Sequence, residues 1–207
     1  MKLLIFGGGD LARTSERMYS TSAALEVVIL DRDDCDASEF DEVRAAIDAE
    51  MPDFIVCTAG TSDIAAESLE EVLDDNLVTA MNVGTAAQGD HIPTVLVAST
   101  AGINPGTHLW YGPAKAGVIS FVRAMANADE EARIWAVSPG RMDTRMRDAD
   151  FPDEDPATRL APRKVASLII DILDGNYAPG ANVVIRKVGL HRVDIYEEVA
   201  PCLPSLL

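Results

Sequence analysis

The 207-residue chain is short of positive charge, with 17 Lys and Arg against 34 Asp and Glu. Nucleic acid and anionic membrane both need clustered positive charge, so neither is an expected partner. The acidic excess fits an ordinary solvated surface better than adaptation to a salty cytoplasm. Cysteine is scarce as well. Cys35, Cys57 and Cys202 are too few and too scattered for a disulfide framework or a structural zinc site, and a reducing, cytoplasmic setting is expected. His91, His108 and His191 show no metal spacing, so no metal is expected either. Long apolar runs are missing: nothing approaches the roughly eighteen residues of a spanning helix. The apolar stretch Leu3 to Phe6 meets glycines at once and is too short for a secretory signal.

What is present is enough apolar material, 48% of residues, to bury one sizeable core, and a single domain over 1–207 is expected. Short β-branched runs at Lys2-Phe6, Glu26-Asp31, Asp53-Thr58, Thr94-Ser99, Ile134-Ser138 and Asn182-Lys187 alternate with helical patterns near 11–21, 39–50, 67–88, 111–128 and 163–174. That alternation predicts an α/β, doubly wound Rossmann-type sheet of about six parallel strands with helices on both faces. Ligands of such sheets sit at the carboxyl ends of the strands. The Asp- and Pro-rich stretch Asp148-Pro162 reads as one long irregular insertion, part of a substrate loop at about 144–162.

Two strand ends carry cofactor chemistry. Gly7-Gly8-Gly9-Asp10-Leu11-Ala12 fits G-x-G-x-x-A at a turn into a helix, where glycine lets backbone approach a pyrophosphate and the helix start offers free N–H groups. Alone, the triplet is also an ordinary tight turn. Asp31 closes the second strand nineteen positions after Ala12, where a carboxylate accepts both ribose hydroxyls and repels a 2'-phosphate. NAD(H) is therefore favoured over NADP(H), although Arg32 next door is able to pair with a phosphate. Cys57-Thr58-Ala59-Gly60 puts small residues at the same edge.

The proton chemistry falls in the second half. Ser99 ends the fourth strand, and twelve residues on, Tyr111 and Lys115 stand four apart, on one face of a helix. A phenol is a poor base at neutral pH, and a nearby ammonium stabilises its phenolate. Each residue alone has a bland reading as a helix pair or a turn serine. Trp135 reads as core.

Together these segments resemble the short-chain dehydrogenase/reductase family. Ser99-Thr100-Ala101-Gly102 is similar to its S-x-x-G, Tyr111 to Lys115 to its Y-x-x-x-K, and Pro139-Gly140 with Thr144 to its P-G-x-x-x-T. Asp75-Asn76-Leu77 resembles its helix asparagine, Cys57 to Gly60 its N-N-A-G turn, and Asp36-Ala37-Ser38 its D-V-S/T segment near the adenine. The resemblance implies an oxidoreductase interconverting a small alcohol and a carbonyl compound. In it Tyr111 is the general acid/base, Lys115 tunes Tyr111 and holds the nicotinamide ribose, Ser99 orients substrate, and Asn76 anchors a water. It also implies cofactor contacts at Gly7, Gly9, Asp10, Leu11, Asp31, Asp36, Ala59, Gly60, Tyr111, Lys115, Pro139, Gly140 and Thr144, and a homodimer or homotetramer.

The chain departs from that family in three places. Its glycine turn is one residue short, with Asp10 and Ala12 where glycines are usual, and Asp10 reads alternatively as a helix N-cap. Asp36 follows Asp31 by only five positions, leaving no room for a usual strand. The substrate loop is short, and its Arg145, Arg147 and Arg159 could either meet an anionic substrate or pair with neighbouring acids. Two other readings remain: a sugar-nucleotide reductase or epimerase, which also shortens the second of these regions, and a non-catalytic dinucleotide-binding regulator. The apolar tail Val199-Leu207 reads as a surface that packs on a neighbouring subunit.

Overall fold

A computed structural model describes residues 1–20, 24–106, 108–189 and 192–198. His191 and the tail Val199-Leu207 lie outside the described residues. Strands β1 (Lys2–Phe6), β2 (Glu26–Leu30), β3 (Phe54–Cys57), β4 (Thr94–Val97), β5 (Ile134–Pro139) and β6 (Asn182–Val188) are parallel, as the alternating pattern predicts. A seventh strand, β7 (Arg192–Glu198), was not foreseen and pairs antiparallel with β6. Its sequence, Arg-Val-Asp-Ile-Tyr-Glu-Glu, sets charged residues around Val and around the Ile-Tyr pair, so it lacks the continuous run that marks the buried strands. The order is β2-β1-β3-β4-β5-β6-β7.

Strand residues alternate between two cores. Leu4, Phe6, Ile55, Cys57 and Leu96 pack against α2 (Phe40–Glu50), α4 (Thr79–Gln88) and α5 (Tyr111–Ala128). Leu3, Ile5, Val56, Val95 and Trp135 face the other way, against α1 (Asp10–Tyr19) and α7 (Pro162–Leu173). Both faces are therefore covered, which is why the strands read as near-continuous apolar runs.

Two irregularities position the site. The expected helix at 67–88 is split into α3 (Leu69–Leu73), a π turn over Asp74–Val78, and α4. One extra residue in the turn leaves the periodicity almost unchanged, so the pattern hides it. The expected irregular stretch also contains structure: α6 (Arg145–Asp150) and a 3-10 turn at Pro156–Thr158. Among the described residues, no helix is long and apolar enough to cross a membrane.

Candidate active site

Strand order reverses between β1's neighbours β2 and β3, and the crevice opens at that switch point, at the strands' carboxyl ends. Two adjoining clefts fill it. The first, about 220 Å³, is lined by Gly7, Gly8, Gly9, Asp31, Asp36 and Thr58, among others. The second, about 410 Å³, holds Asn76, Ser99, Tyr111, Lys115, Gly140 and Thr144. Thr58, Ala59 and Gly60 border both.

The first cleft has a backbone floor. Gly7 has φ +110, and a Cβ there would lie 2.7 Å from the Ala59 nitrogen, so β1 and β3 approach each other only through glycine. Gly9 is the N-cap of α1 without a side-chain cap, and nothing stands within 4 Å of where its Cβ would be. An open cradle beneath free helix-start N–H groups fits a pyrophosphate. Gly8, which sequence reasoning passed over, packs directly on Asp31, where an added Cβ would lie 2.8 Å from the Asp31 Cβ. Arg13 stands 3.6 Å from the Asp31 carboxylate, while Arg32, which also lines the cleft, pairs with Asp75 at 2.8 Å. The Ser38 hydroxyl and backbone N–H both donate to Asp36 and hold its carboxyl below the usual range.

Asp10 behaves differently from expectation. It is the first residue of α1, not its cap, and it lines neither cleft. Its carboxylate accepts the Arg145 N–H at 2.6 Å and the Arg145 guanidinium at 3.0 Å. The α6 start is itself short of acceptors for its N–H groups, and Asp10 satisfies one of them. Every other residue named from the sequence as a catalytic or cofactor position lines one of the two clefts.

In the second cleft Lys115 is 4% exposed and donates to the Val97 carbonyl at 3.0 Å. Burial pushes its pKa down to about 8. Its ammonium stands 5.7 Å from the centre of the Tyr111 ring. Burial raises the Tyr111 pKa, the Ser99 hydroxyl pulls it back, Asp63 and Asp150 raise it, and Arg147 lowers it. The lowering expected from Lys115 is not among the influences on Tyr111; burial is the largest of them, and two carboxylates act with it. Asn76, fully buried on the π turn, donates its Nδ2 to the Thr61 and Val72 carbonyls, both at 2.9 Å. Its Oδ1 is buried without a partner, beside Gly60 and close to the Lys115 ammonium. A buried acceptor left over in a polar cleft is where a water belongs.

The lid over this cleft is held by charge. Arg159, its side chain 1% exposed, reaches Asp143, Asp148 and Glu154 and donates to the Phe151 and Glu154 carbonyls. Arg147 binds Glu154 through two nitrogens at 2.7 and 2.8 Å and lies over the Phe151 ring. Hydrogen bonds from Arg147 and Arg141 hold the Glu154 pKa down at about 2. Met142, Met146, Asp150 and Phe151 also line the cleft; loop residues of mixed type carry no spacing by which a sequence would reveal them.

Residues 11–166 match the family model described as enoyl-(acyl carrier protein) reductase, a short-chain dehydrogenase model. The chain belongs to the short-chain dehydrogenase/reductase family. It is accordingly an NAD(P)-dependent oxidoreductase. Solved structures of similar fold include a small-chain dehydrogenase in complex with NADPH, 13% identical over 90% of this chain and 97% of that one, with a TM-score of 0.75. Another is 3-ketoacyl-(acyl-carrier-protein) reductase from Brucella melitensis complexed with NADH, 20% identical over 90% and 96%, TM-score 0.73. A third is a dTDP-4-dehydrorhamnose reductase from Clostridium acetobutylicum, 16% identical over 89% and 73%, TM-score 0.71. No curated protein sequence matches.

Proposed function

We propose that this short-chain dehydrogenase interconverts a small, uncharged alcohol and its carbonyl compound, with Tyr111 as general acid/base. The observation that carries this is the convergence of Ser99, Tyr111, Lys115 and Asn76 in one cleft that shares Thr58, Ala59 and Gly60 with the glycine-floored one. The nicotinamide dinucleotide, when bound, supplies or takes up the hydride. Gly7, Gly9 and Leu11 would hold its pyrophosphate, Asp31 and Asp36 its adenosine end, and Ala59, Gly60, Pro139, Gly140, Thr144 and Lys115 its nicotinamide end. Ser99 orients the substrate oxygen and Tyr111 gives or takes its proton. The orphaned Asn76 oxygen and the Lys115 ammonium offer a route by which that proton reaches solvent.

Charge and size support the substrate class. Arg145, Arg147 and Arg159 are each paired with protein carboxylates, which favours a neutral substrate over an anionic one. Arg32 is likewise committed to Asp75, which supports NAD(H) over NADP(H) at Asp31. With its pKa raised, Tyr111 is protonated at neutral pH and serves as the acid for carbonyl reduction; alcohol oxidation needs the phenolate and speeds up as pH rises. A homodimer or homotetramer in the cytoplasm completes the proposal, tested by light scattering of the purified protein.

The test is NADH oxidation across small aldehydes, ketones and diketones. Tyr111→Phe is expected to lower turnover about 1,000-fold while circular dichroism and NADH binding stay unchanged. Undiminished turnover in Tyr111→Phe overturns the mechanism. NADH binding with no turnover of any carbonyl by the unaltered protein points to a non-catalytic regulator, and tight thymidine or uridine diphosphate binding to a sugar-nucleotide enzyme.

A further inference from the structure

Helix α5 begins at the residue that carries the phenol, yet its own sequence does not cap it. Trp110 occupies the N-cap in a helical conformation and makes no side-chain cap bond. The first turn's N–H groups therefore need acceptors from elsewhere. Asp63, forty-eight positions before Tyr111, provides them: its Oδ1 accepts the Tyr111 N–H in a short hydrogen bond, and its Oδ2 lies 3.5 Å from the Trp110 nitrogen. The side chain is only 16% exposed, and His108 Nδ1 stands 3.7 Å from its Oδ2. The His108 ring meets the Tyr111 ring edge-on at 5.8 Å.

The loop carrying Asp63 is itself tied down on two sides. Asn76 donates to the Thr61 carbonyl at 2.9 Å, and the Ser62 hydroxyl donates to Asp150 of the lid at 3.0 Å. The loop after β3 thus joins the floor, the lid and the start of the catalytic helix.

We infer that Asp63 is a positioning residue for the reaction, an external cap that fixes the Tyr111 end of α5 and places a negative charge beside the phenol. The inference rests on the reading of Tyr111 as general acid/base. A carboxylate at a helix start stabilises the helix, because the free N–H groups there carry partial positive charge. The same charge opposes loss of the phenol proton. Facing Tyr111 with it are Asp150 and Arg147 from α6, His108 from the preceding loop, Ser99 from the end of β4 and Lys115 one turn along α5. Asp63 and Asp150 act in the same direction on the phenol, and Arg147 acts against them.

Three variants of the full chain separate position from charge. Asp63→Asn keeps an acceptor and removes the charge, Asp63→Ala removes both, and Asp63→Glu keeps the charge on a longer arm. Tyr111 is followed by NMR titration of ring-labelled tyrosine, its signal assigned by loss in Tyr111→Phe. In Asp63→Asn the titration is expected to move down by roughly half a unit to one unit. In Asp63→Ala amide exchange at 111–113 is expected to rise, and kcat with NADH and the best carbonyl of the panel to fall about tenfold with KM for NADH unchanged. Asp63→Asn restores most of kcat while keeping the shifted pH profile, which a purely structural role would not produce. An unmoved or raised Tyr111 titration in Asp63→Asn overturns the inference, as does wild-type kcat in Asp63→Ala. If the unaltered protein turns over no carbonyl, the functional reading fails, while the titration and exchange still decide the role of Asp63. Should Asp63→Ala not fold, the Asn and Glu titrations decide it.

Discussion

The floor of the glycine turn and the lid over Tyr111 bound the same crevice but are held by different forces. Gly7 and Gly8 shape the floor by close approach to Ala59 and Asp31, and Gly9 leaves it open. The lid from Arg141 to Arg159 hangs on charges converging on Arg159 and Glu154. Backbone geometry is indifferent to salt and pH, whereas ion pairs respond to pH and, where one partner is exposed as Asp143 and Asp148 are, to salt as well. One rim of the crevice is thus rigid by shape, and the other is conditional.

The largest expected effect breaks the floor. Gly7→Ala forces a side chain into a positive-φ conformation and against the Ala59 nitrogen; it should cost about 2–3 kcal/mol of stability and weaken NADH binding about 100-fold. Calorimetry and fluorescence titration check both, and binding within a factor of two of the original would show that the turn adapts. Next comes the lid. Arg159→Ala leaves three carboxylates facing one another, and amide exchange across 143–160 should rise about tenfold with NADH affinity nearly unchanged. Molar salt should loosen the lid of the unaltered protein in the same direction and leave the floor alone.

The smallest effect is a pH dependence confined to the lid. Glu154 has its pKa lowered from 4.5 to about 2, so the stability it contributes is full above pH 4.5 and fades as pH falls toward 2. Exchange in the lid should rise over that window in the unaltered protein. In Glu154→Gln the added rise should vanish, because the lid is already loose at neutral pH.

The same contrast governs what the sequence makes legible. The glycine turn, Asp31 and the Tyr111-Lys115 pair announce themselves because their chemistry depends on short fixed spacings along one strand end or one helix face. Asp63 gives no such signal: it acts on a helix start forty-eight positions away that only folding brings near, and in a chain with 34 acidic side chains one more aspartate draws no notice. The pairing of Asp10 with Arg145 spans 135 positions and was mistaken for a local cap for the same reason. Arg159 was legible as a partner for neighbouring acids, and it pairs with Glu154 five positions before it. Strand β7 was missed because its apolar residues stand among charges rather than in a continuous run.

The π turn at Asp74–Val78 gives the site a dependence on counting. A π turn holds one residue more than the α turn it replaces, so removing any one residue between Val72 and Thr79 would let the helix regularise and close the bulge with α3 and α4 almost unmoved. Asn76, or whichever residue inherited its place, would swing away from Gly60 and Lys115 although every motif in the chain still read correctly. At this position the number of residues in the turn matters as much as which residues they are.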